Sequence, residues 1–92
     1  MARDLNKLLK NHRNLIQSDG KKVSSHVQRE VADGWIMNTI MLEGIDVPFQ
    51  YKRRKPYKNL TGQRVNLTYY PATQQVAGFE MELMRVVRLR IS

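Results

Sequence analysis

Side chains able to do acid–base or covalent chemistry are few in this chain, and their spacing argues against a catalytic centre. The two histidines, His12 and His26, sit on different segments and lack the short separation of a metal-binding pair. A Ser-His-Asp arrangement drawn from Ser24 or Ser25, His26 and Asp33 would need three near neighbours to converge, which extended backbone opposes. There is no cysteine, which excludes thiol catalysis, Cys-ligated zinc, iron–sulfur clusters and disulfides. The glycines stand singly at 20, 34, 44, 62 and 78, so no glycine-rich phosphate loop exists. The expectation is a non-enzyme without metal or cofactor.

Cationic chemistry is better represented. Lys52, Arg53, Arg54, Lys55, Lys58 and Arg64 fall in one window that contains no acid, with Tyr51 and Tyr57 flanking the run and Tyr69 and Tyr70 shortly after it. Over the whole chain, 16 Lys and Arg against 8 Asp and Glu give a net charge of +8, which favours a polyanionic partner. Lysine and arginine neutralise phosphates and release counterions, and tyrosines stack on unpaired bases. The residues assigned to nucleic-acid binding are Lys52, Arg53, Arg54, Lys55, Tyr57, Lys58, Arg64, Tyr70 and Arg88. Arg53 and Arg54 lead as phosphate contacts because a strand-to-loop junction projects long side chains outwards. Tyr69 shares parity with Val65 and Leu67 and reads as core, which leaves Tyr70 to stack. Arg88 and Arg90 share one face and either extend the basic surface or pair with Glu80, Glu82 or Glu43. The expected function is binding of RNA or single-stranded DNA. The alternative is a protein-interaction or structural module whose basic loop is simply solvated.

The elements that must carry these residues follow from length and periodicity. Ninety-two residues, 41% of them apolar, make one small core and no more. Leu5, Leu8, Leu9, Leu15 and Ile16 recur at helical spacing, with Asp4 placed to cap, so residues 1–17 read as an amphipathic helix with His12 on its apolar stripe. Ser18-Asp19-Gly20 reads as its stop, and residues 18–22 as a linker. Residues 23–92 then form the barrel domain. Residues 23–32 allow two readings: Val23, Val27 and Val31 suit one side of a strand, and they also suit i, i+4, i+8 on a helix with Ser24-Ser25 ahead of Gln28 as a capping box; three valines, with no leucine and no alanine but Ala32, favour the strand. The helical option leaves an α+β fold with a four-stranded sheet. The strand option makes Asp33-Gly34 a hairpin turn.

Period-2 alternation continues from Trp35 to Leu42, turns at Glu43-Gly44, and resumes through Ile45, Val47, Phe49 and Tyr51, where Pro48 marks an edge or a bulge. Val65 to Tyr70 and Phe79 to Ile91 complete the set; Phe79, Met81 and Leu83 share the parity of Val87, Leu89 and Ile91, and Arg85 interrupts that inward series, so either Arg85 opens onto a groove or, the favoured reading, a bulge near Met84–Val86 shifts the register. The fold class is thus mainly β with an N-terminal helix, a small five-stranded antiparallel barrel of OB-like or SH3-like type. Trp35, Met37, Met41, Met84 and Val86 form an outer apolar surface, covered by the helix or by a homodimer seam through Trp35, Met37 and Met41. No apolar run is long enough to span a bilayer and no secretory signal opens the chain, so the expected setting is cytoplasmic, away from membranes, and bacterial.

The stretch from Arg53 through Leu60-Thr61-Gly62-Gln63-Arg64-Val65 to Leu67, Pro71 and Gly78 resembles the second half of the barrel in bacterial translation initiation factor one and the related S1-type RNA-binding domains. The shared features are a basic, tyrosine-containing connection, a Leu-x-Gly-x-x-Val lead into the fourth strand, and a loop before the fifth. The resemblance implies a five-stranded Greek-key OB barrel that binds RNA or single strands on its exposed sheet face and loops. It covers about residues 53–79. The helix and linker of residues 1–22 and the long apolar last strand depart from that pattern.

Overall fold

The computed structural model describes residues 15–56 and 58–92. Its five elements are all strands: β1 (Ile16–Glu30), β2 (Ile36–Leu42), β3 (Phe49–Arg53), β4 (Arg64–Val76) and β5 (Phe79–Ile91). They close into a barrel in the order β1-β2-β3-β5-β4, with β4 returning to β1. This small closed barrel is compatible with an OB-like fold. All pairings are antiparallel except β3 with β5, which is parallel and only two residue pairs long, so the fully antiparallel expectation is corrected at that seam.

β1 serves two partners because it bends twice. Its first half pairs with β4 and its second half with β2, and each half carries one extra residue. Asp19 and Gly20 together oppose one residue of β4, and Gly20 takes φ +66°, a conformation that costs glycine little. The Gly20 N–H donates to Asn66 Oδ1 at 2.8 Å, which ties the bulge to β4. Ser18-Asp19-Gly20 is therefore a bulge inside a strand, and residues 18–22 belong to β1 instead of a linker. The helix expected over residues 1–17 falls mostly outside the described residues; Ile16 and Gln17, its last two, are strand.

Residues 23–30 are strand, as preferred, and Asp33-Gly34 is the turn, both residues at positive φ (54° and 78°) as a tight hairpin requires. The valine parity does not survive, however. Ser24 is the second extra residue of β1, so Val23 faces the core while Val27 and Val31 face outwards, half exposed. His26 takes the inward place.

The core consists of Val23, Ile40, Leu42, Phe49, Leu60, Val65, Leu67 and Tyr69, with Tyr69 meeting Phe49 edge-to-face at 4.8 Å between ring centres. Tyr69 is core, as its parity indicated. Leu60 comes from the β3–β4 connection and plugs one end of the barrel, fully buried. Two backbone bonds hold that connection to β1: Gly62 N–H to Val23 O at 2.8 Å and Val23 N–H to Gln63 O at 2.9 Å. A polar bridge secures it further. His26 Nδ1 accepts from Leu60 N–H at 2.9 Å, which places the ring proton on Nε2, where it donates to Asn38 Oδ1 at 2.8 Å. Both imidazole nitrogens are thus engaged in holding the plug. A Ser-His-Asp relay through His26 would have to break this bridge.

β3 and β5 each differ from the sequence reading. β3 begins at Phe49, not at Ile45, because Pro48 has no N–H to pair; its carbonyl accepts from Met84 N–H at 2.8 Å. In β5 the bulge falls on Val87, one residue beyond the expected stretch. Met84 and Val86 consequently pack against the core and do not join Met37 and Met41 on the outside. Past Pro71 and Met84, β4 and β5 run on as a two-stranded arm through Thr73↔Glu82 and Gln75↔Glu80 to Val76↔Phe79. Phe79, on the parity of the inward series of this strand, is 72% exposed at the arm's tip. Among the described residues there is no helix, hence none long and apolar enough to cross a membrane.

Candidate nucleic-acid interface

The six cations between Lys52 and Arg64 do not form one strip. Lys52 and Arg53 end β3, and Arg64 opens β4 on the seam with β1, where its Nη1 donates to Gly20 O at 2.9 Å. Arg54 folds back over the Trp35 ring, 4.4 Å from its centre, and Nη1 donates to Asp33 O at 3.4 Å. That contact contributes on the order of 0.5–1 kcal/mol at an exposed site and fixes Arg54 against the β1–β2 turn. Its planar group therefore holds the barrel's edge together instead of projecting outwards. Lys55 and Lys58 are exposed on the connection, and Tyr57 lies outside the described residues.

What the barrel does bring together is β3 with β5. Their parallel pairing stops at Gln50↔Arg85, and beyond it the strands part. The gap is a groove of about 230 Å³ lined by Tyr51, Lys52, Arg53, Val86, Val87, Arg88 and Leu89. Tyr51, Val86 and Leu89 belong by register to the inner side of the barrel, so they form an apolar floor where the missing pairing uncovers it. Lys52 and Arg88 belong to the outer side and form the rim.

Arg88 also borders a second hollow, about 200 Å³, with Gln17, Asn66, Thr68 and Arg90. The register explains this continuity, because Thr68↔Arg88 and Asn66↔Arg90 are neighbouring pairs on the outer face. Among the described residues no acidic side chain lines either hollow. The acids considered as partners of Arg88 and Arg90 lie elsewhere. Glu43 meets Lys22 at 3.8 Å, while Glu80 and Glu82 sit far along the arm. Eight strand residues separate Arg90 from Glu82, roughly 26 Å of extended chain.

Tyr70 is half-buried on the outer side opposite Arg85 and lines neither hollow. The aromatic of the groove is Tyr51, which the sequence marked only as a flank of the basic run. Tyr51 and the floor residues were missed because the β3–β5 contact joins segments distant in sequence over only two pairs, and it leaves no local periodicity. Trp35 is half-buried beneath Arg54, and Met37 and Met41 alternate with Thr39 on the outer side of β2. Among the described residues no group of three or more His, Asp or Glu side chains is arranged to hold a metal ion.

The closed five-stranded barrel is compatible with an OB-like fold. Comparison with protein-family models, with curated proteins and with solved structures gives no match.

Proposed function

We propose that the protein binds single-stranded nucleic acid, RNA or DNA, without catalysis, along the β3–β5 groove and the adjoining outer face of β4 and β5. The observation that carries this reading is the parting of β3 and β5, which sets an apolar floor with one tyrosine between cationic rims and continues through Arg88 to Arg90. A sugar–phosphate chain following this path meets Lys52, Arg53, Arg88 and Arg90 in succession. An unstacked base fits the floor between them. A duplex presents no free base face to such a floor, so single strands are favoured. Asn66 and Thr68 beside Arg90 supply hydrogen-bonding groups for sugar or base edges.

Fluorescence anisotropy with labelled oligouridylate and oligothymidylate tests this reading. Lys52→Gln and Arg88→Gln should each weaken binding severalfold. Lys21→Gln, an exposed residue of β1 that lines neither hollow, should weaken it least. A loss at Lys21 equal to those at Lys52 and Arg88 would reduce the interaction to general attraction by net charge, and no binding at low salt would end the proposal.

A further inference from the structure

The β4–β5 arm is chemically unlike the rest of the molecule. Residues 71–84 contain Glu80 and Glu82 and no lysine or arginine, in a chain of net charge +8. The register places Val76, Phe79 and Met81 on one side of the ribbon, and Glu80 and Glu82 on the other. All five are exposed, the phenylalanine most of all at 72%. Among the described residues neither edge of the distal ribbon pairs with another strand: β1 leaves β4 at Tyr69, and β3 meets β5 only at Met84 and Arg85. A bare two-stranded ribbon gains little stability in water, and unpaired edges with exposed apolar side chains favour association.

We infer that this arm docks in the β3–β5 groove of a second copy of the chain, building head-to-tail assemblies whose contacts exclude nucleic acid from the groove. Complementarity supports the choice of occupant. The groove offers apolar Tyr51, Val86 and Leu89 on its inner side and Lys52 and Arg88 on its outer side; the arm, entering edge-on, offers Phe79 on one side and Glu80 and Glu82 on the other, so its apolar side faces the floor and its carboxylates face the cations. A volume of about 230 Å³ lies below the roughly 300–1,000 Å³ of pockets that hold drug-sized ligands, and suits one aromatic side chain. The arm cannot serve its own groove. Phe79 and Val87 are eight residues apart on one strand, about 26 Å of extended chain, and continuous pairing with β4 keeps that strand from folding back. The donor must be another molecule, and because arm and groove are different surfaces the contact is heterologous, leaving a free arm and a free groove at the ends of each chain.

This inference concerns regulation of the groove and stands on the arm, so it fails separately from the nucleic-acid reading. Sedimentation velocity of the full chain at low salt should show an average mass that rises with protein concentration and falls with added salt or oligothymidylate. Phe79→Asp, Glu80→Lys/Glu82→Lys and Arg88→Glu should each be monomeric. All four positions are exposed, and thermal melts establish that the variants are folded. The decisive arm mixes Phe79→Asp, whose groove is intact, with Arg88→Glu, whose arm is intact. A one-to-one complex that grows no further is the signature of one arm in one groove. Wild-type protein that stays monomeric throughout overturns the inference, even if it binds oligonucleotide. Assembly that persists in all three variants overturns it too, by placing the contact on another surface.

Discussion

The salt dependence of binding can be worked out from the groove. Four cations line the two hollows, namely Lys52, Arg53, Arg88 and Arg90. If each neutralises one phosphate of a single strand, the logarithm of the association constant falls against the logarithm of salt with a slope of about −0.7 per contact, or about −2.8 in all. Raising salt from about 50 to about 200 mM then weakens binding roughly 50-fold. Arg88 is the informative position because it borders both hollows. Arg88→Gln should bring the slope to about −2.1 and the loss over the same range to roughly 20-fold. The assay is anisotropy of a labelled oligothymidylate titrated at four or more salt concentrations, with wild type and variant side by side. A lower affinity with an unchanged slope would mean that Arg88 acts on the shape of the groove and touches no phosphate. A wild-type slope near zero would refute phosphate contact altogether. A slope well beyond that of four contacts would instead bring in Arg64, Lys55 and Lys58, the dispersed part of the basic run.

Three further outcomes test the scaffold. Leu60→Ala empties the fully buried plug of the barrel and should cost about 2–5 kcal/mol, read as a lower urea midpoint at unchanged cooperativity; a cost near zero would mean that the connection does not belong to the core. His26→Phe leaves the Leu60 N–H and Asn38 Oδ1 without their partner and should cost about 1–3 kcal/mol. Combined with Asn38→Leu in a double-mutant cycle it should be non-additive by at least about 0.5 kcal/mol, and strict additivity would show that the two side chains are not coupled. Gly20→Ala meets no atom within 4 Å, so its cost is the backbone's alone, about 1–2 kcal/mol for an L-residue at φ +66°. Gly20→Asn should recover part of that loss, and equal melting temperatures for both variants and wild type would contradict the assigned bulge.

How much of this was legible depends on where the chain departs from strict alternation. Ile36 to Leu42 and Val65 to Tyr69 keep an even period, and there the sequence located strand, face and core correctly, including Tyr69 inside the barrel. The failures sit at bulges. One extra residue reverses every side chain beyond it, so Val23, Val27 and Val31, read as a single face, are split by Ser24 into one core residue and two exposed ones. Asp19-Gly20 deceived in another way, because a glycine at positive φ ends helices and bends strands alike, and the local signal is the same. The basic window was visible as composition. Its geometry was not, since Lys52, Arg54 and Arg64 are close in sequence yet end at the groove, the β1–β2 turn and the β1–β4 seam.

The bulge at Val87 links the closure of the barrel to its candidate function. An extra residue on one strand of an antiparallel pair bends that strand and increases its twist. In β5 it falls two residues after Arg85, where pairing with β3 stops, and Val87 itself stands in the groove wall, half exposed. The same bend that carries β5 round to complete its ladder with β4 draws it away from β3. A barrel with a regular β5 would continue the parallel pairing through Tyr51 and Val86 and cover the floor between them. Lys52 and Arg88 would then stand on an unbroken sheet, with charge to attract a phosphate chain but no recess to hold a base.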